Sequence, residues 1–180
     1  MEKGPEKFNQ REKEAPMKAK EVFELTLTQE PIFFTPVGGN DNLKKIGLND
    51  REEIVLTPPK EQEGAPKTLN MSFFIPEKGK PFDRNVVEQW CKENGWRLAT
   101  GFELASLANK LWSDLEKEYE QDKERGHNYE KLDSLTFAVA LGDSYKGNYV
   151  ATTVPQWDWS LTVYSPKELS GSCKFAIVKL

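Results

Sequence analysis

The side chains of this 180-residue chain that could do chemistry are few and poorly clustered. His127 is its one histidine, so Ser-His-Asp, Cys-His and multi-histidine metal arrangements reduce to what a single imidazole can do. Its Gly-His-Asn setting reads as an exposed loop. Cys91 and Cys173 are the two cysteines, far apart and outside any Cys-x-x-Cys spacing that would serve zinc or redox chemistry. A reducing compartment favours two free thiols, and a Cys91–Cys173 bridge is the alternative. Carboxylates abound, but Glu52-Glu53 and Glu116 with Glu118 lie in charged stretches that read as solvated surface, not as an acid–base pair. Gly38-Gly39 is a turn signal and no phosphate-cradling glycine motif occurs. What gathers instead, between Leu141 and Tyr164, is a mixture suited to recognition: Asp143, Ser144, Tyr145, Asn148, Gln156, Trp157, Asp158 and Tyr164. The chemistry these residues suggest is ligand binding. The sequence supplies no catalytic residue, no metal-ligand set and no cofactor motif.

Composition narrows the partners. Lys and Arg number 25 against 29 Asp and Glu, giving a net charge of −4, so no basic field exists to attract nucleic acid or anionic lipid. Mean hydropathy is −0.68, while ten Phe, five Trp and five Tyr supply enough bulk for a packed interior, which predicts a soluble protein. The opening Met1-Glu2-Lys3-Gly4-Pro5 lacks the apolar stretch of a signal peptide, and no later run approaches the roughly 18 apolar residues that span a bilayer. As written the sequence predicts a cytoplasmic protein, and an extracellular or virion-associated one if a leader was removed or the protein travels in a particle. The ligand's identity and the oligomeric state carry no signature in the sequence.

The elements that must position the recognition residues come in three blocks. Residues 1–20 mix Glu, Lys and Arg with Pro5 and Pro16 and read as a disordered charged tail. Residues 21–80 read as strand and loop: Phe23, Leu25 and Leu27 alternate in a strand over Val22–Thr28, and Ile32–Phe34, Ile54–Leu56 and Met71–Ile75 are short apolar runs between breakers. This block lacks an independent core and is expected to pack on the main domain, residues 81–180. There Asp83 caps a helix whose Val86, Val87, Trp90 and Cys91 share a face, and Gly95 ends it. Thr100 and Glu103 form a capping box for a second helix, with Ala99 and Leu104 as its hydrophobic staple and Leu107, Ala108, Leu111, Trp112 and Leu115 continuing the apolar stripe. Its charged extension, Glu116–Arg125, is expected to run in solvent to Gly126. Leu135–Leu141 reads as a buried strand, Gly142, Asp143, Gly147 and Asn148 as a turn, and Tyr149–Thr153, Trp157–Tyr164 and Phe175–Leu180 as strands.

The stretch from Trp90-Cys91 through Gly95-Trp96-Arg97-Leu98-Ala99-Thr100 to Glu103-Leu104 resembles the "aromatic-Cys … G-W/F-R-L-P-T-x-x-E-L/W" segment of bacterial C-type-lectin-like domains. It is similar to the formylglycine-generating, or sulfatase-modifying, family and the small bacterial domains related to it, with Ala99 in place of the usual Pro. Tyr149–Thr153 looks like their "Y-W-S/T-S-T" strand. The resemblance covers about 100 residues, and Gly95–Glu103 is its specific part. It implies an α+β, C-type-lectin-like domain with two helices and a small, mainly antiparallel sheet, of bacterial or phage type.

Two departures bear on function. The Glu-Pro-Asn or Gln-Pro-Asp and Trp-Asn-Asp triplets that hold calcium in true C-type lectins are missing, and Trp157-Asp158-Trp159 near the second position offers one carboxylate between two indoles. The family's oxidases use a late pair of reactive cysteines, where this chain has Cys173 alone. The expectation is therefore a non-catalytic module that binds a protein or carbohydrate ligand through Asp143, Tyr145, Asn148, Gln156, Trp157, Asp158 and Tyr164. The alternatives are a formylglycine-generating-type enzyme or a degenerate relative of one, and a structural component of a particle or assembly.

Overall fold

The computed structural model of the protein describes residues 21–37, 40–49, 51–60, 67–77, 80–126, 128–153 and 160–180; the segment 1–20 lies outside them. In chain order the elements are β1 (Phe23–Thr26), β2 (Ile32–Phe34), α1 (Asn40–Lys45), β3 (Ile54–Leu56), β4 (Thr68–Phe74), α2 (Arg84–Asn94), β5 (Trp96–Leu98), α3 (Gly101–Gln121), β6 (Ala138–Val139), β7 (Tyr149–Thr153), β8 (Ser160–Tyr164) and β9 (Lys174–Lys179). Short 3-10 turns lie at Lys123–Arg125, Tyr129–Leu135 and Pro166–Glu168.

Phe175-Ala176-Ile177-Val178 is apolar on both faces of a strand, a pattern that requires cover on both sides. It lies at the centre of the seven-stranded sheet, where all four residues are buried. β9 pairs antiparallel with β4, in the register Met71↔Val178 to Phe74↔Phe175. Its other edge is shared end to end: β6 lies parallel to its first half and β5 antiparallel to its second. The sheet continues β6–β7–β8 on one side and β4–β1 on the other, while β2 and β3 form a separate two-stranded ribbon. Among the described residues the fold is mixed α+β, with mainly antiparallel strands and three α-helices. α1 is the addition to the two expected, a six-residue helix around Asn40–Lys45.

Alternation along the strands sorts the core into two clusters. Phe73, Ala138, Val150, Ala176 and Val178 join the stripe of α3, whereas Phe74, Val139, Ala151, Phe175 and Ile177 pack with Val87 and Cys91 of α2. The sheet is thus sandwiched between the two longer helices. Among the described residues no helix is long and apolar enough to cross a membrane.

Local signals located the helix ends. The Asp83 side chain accepts from Asn85 N–H at the start of α2, and Gly95, at φ 75°, closes it with its N–H on the Cys91 carbonyl. Val86 departs from the expected face: it is 58% exposed, while Val87 and Cys91 are buried. α3 ends at Gln121 rather than at Gly126, because the Asp122 N–H closes on the Glu118 carbonyl and a 3-10 turn follows. The buried strand read over Leu135–Leu141 shrinks to two residues. Leu135 ends a 3-10 turn, and Phe137 takes φ 54°, a left-handed conformation that cannot continue a strand. In β8 Thr162 is buried along with Leu161 and Val163, and it donates to the Val37 carbonyl at 2.6 Å where the chain after β2 crosses it.

Candidate functional site

α3 carries polar residues at both ends, and they do different things. At the N-terminal end the capping box is complete: Thr100 Oγ1 accepts from Glu103 N–H and the Glu103 carboxylate accepts from Thr100 N–H at 2.8 Å. Glu103 is fully buried, and Arg97 grips it with two guanidinium nitrogens, at 2.6 and 2.9 Å. Such a bidentate, charge-assisted pair tolerates burial because the carboxylate is met on both oxygens. Asp143, predicted as a ligand contact, accepts from Gly101 N–H at 2.6 Å and so caps the same end. The residue is exposed as a whole, but its carboxylate is tucked against α3; burial pushes its pKa up, and the Gly101 N–H works in the opposite direction.

The neighbouring glycines show how close the backbones come. A Cβ on Gly142 would sit 2.7 Å from the Ala99 carbonyl oxygen, which the Gly142 N–H contacts at 2.8 Å. A Cβ on Gly101 would meet Val150 Cγ2 at 2.7 Å.

The other predicted contacts divide between the two faces of the sheet. Tyr145 and Asn148 exchange backbone hydrogen bonds of 2.7 and 2.9 Å across Lys146 (φ 49°) and Gly147 (φ 78°), the pair of positive angles that a type I′ turn requires. Asn148 is buried and donates through its side chain to the Ile46 and Lys146 carbonyls. Tyr145 Oη donates to Glu52 at 2.9 Å, and the Lys146 ammonium contacts the same carboxylate oxygen. The Lys146 contact, then the Tyr145 hydroxyl, hold Glu52 below its ordinary pKa. This arrangement ties the β6–β7 loop to the segment before β3. Tyr164 lies elsewhere: it stands opposite Tyr149 in the β7–β8 register and packs into the cluster under α2, where burial raises its pKa. Gln156, Trp157 and Asp158 lie outside the described residues, as does His127.

At its other end α3 forms one wall of an open groove of about 690 Å³. The floor is apolar: Phe23 of β1 meets Phe73 of β4 edge-on at 6.1 Å, flanked by Ile75 and by Leu111 of α3. Glu21, Asp114, Glu118, Glu130 and Asp133 also line the groove, with Asn128, Ser134 and Lys174, and Asp114 is paired with Lys110 of the same helix at 2.6 Å. The Lys174 ammonium contacts the Asp133 carbonyl. Of these acids the sequence assigns Glu118 alone to solvated surface, and gives the other four no role. The available signal was their phase on the helix: Asp114 and Glu118 are four apart, and Leu111 and Leu115 repeat the same step on the adjoining stripe.

Cys91 and Cys173 are both unbridged and buried in the cluster under α2. Burial, then the nearby Glu88 charge, pushes the Cys91 thiol up to about 11, so it stays protonated and unreactive at neutral pH. Among the described residues no three His, Cys, Asp or Glu side chains converge as a metal site would require. In comparisons with known proteins, no family model, no curated protein and no solved structure matches the chain.

Proposed function

We propose that the protein is a non-catalytic binding module of C-type-lectin-like architecture that recognises a protein ligand, and that the groove beside the C-terminal half of α3 is its recognition surface. The observation that carries this reading is the groove itself: among the described residues, an aromatic and aliphatic floor open to solvent and bordered by hydrogen-bonding groups, the usual composition of a ligand site. The loop residues Asp143, Tyr145 and Asn148 support it indirectly, since each spends polar atoms on the fold. The architectural part of the reading draws on the Gly95–Glu103 segment, whose Arg97, Thr100 and Glu103 form one connected structural unit, and on the last strand lying beside β4.

Alkylation of the native protein by a thiol reagent at pH 7.5, with metal analysis of the same sample, tests the non-catalytic part. Slow modification of both cysteines and no stoichiometric metal are expected. A fast-reacting Cys173 with bound metal would return the formylglycine-generating reading.

A further inference from the structure

We draw no further inference here: the strongest candidate, the apolar-floored groove beside the C-terminal half of α3, belongs to the site already described, and with Asp114 paired to Lys110 and Arg125 lining the adjoining hollow nothing in the structure shows what covers it.

Discussion

The two ends of α3 use the same kinds of side chain for opposite purposes. At the N-terminal end Thr100, Glu103, Arg97 and Asp143 satisfy one another and the first backbone N–H groups of the helix. At the C-terminal end Asp114 and Glu118 stand on the wall of a groove whose floor is apolar. Helix electrostatics helps to explain the division. Carboxylates near a helix N-terminus are stabilised by its unpaired N–H groups, whereas near the C-terminus they oppose the helix dipole and contribute little to holding it together. Asp114 offsets this by pairing with Lys110, one turn earlier on the same helix, at 2.6 Å.

The largest way to break the comparison is at the N-terminal end. Glu103→Ala removes the capping box and takes the carboxylate away from the Arg97 guanidinium, and is expected to lower the unfolding free energy by about 3 kcal/mol, read as a shifted urea midpoint at constant slope. Glu103→Gln, which keeps an acceptor, should cost less. Gly142→Ala comes next, at about 2 kcal/mol, because the added methyl meets the Ala99 carbonyl rather than a movable side chain.

Acid titration sharpens the comparison with smaller effects of opposite sign. The folded pKa of Glu52 is lowered, so its contribution is present above its unfolded value and is lost as pH falls through the folded one. That of Asp143 is raised, so ionising it in the folded protein carries a penalty that is absent below its unfolded value and grows as pH rises through the folded one. Relative to wild type, Glu52→Gln should therefore lose ground as pH rises from about 3 to 6, and Asp143→Asn should gain it. Parallel pH profiles for the two variants would contradict these assignments. The smallest effect is expected in the groove, where Glu130→Gln/Asp133→Asn should stay within about 0.5 kcal/mol of wild type.

What could be read from the sequence follows the same division. Capping is local chemistry, so Asp83, Gly95, Thr100 and Glu103 announce their roles within a few residues of themselves. The alternation of β1 and the apolar run of β9 are equally local. The two-residue β6 was overread because the left-handed Phe137 carries no glycine or asparagine to signal it. The loop from Asp143 to Asn148 was legible as a turn at Gly147-Asn148, but not as a tether, since the Glu52 that Tyr145 contacts comes from 93 positions earlier in the chain. The groove was the least legible feature. Its lining comes from residues 21–23, 73–75, 111–118, 128–134 and 174, so that no stretch of sequence contains both its floor and its rim.

The central claim is that recognition belongs to the C-terminal end of α3 and structure to the N-terminal end. Amide and methyl NMR shifts of the full chain, titrated with a pooled set of short synthetic peptides of mixed charge and hydrophobicity, test it most directly. Shifts should concentrate at Phe23, Phe73, Ile75, Leu111 and Glu118, with Asp143, Tyr145 and Asn148 unmoved. Shifts centred on Asp143 to Asn148, with the groove residues silent, would contradict the account.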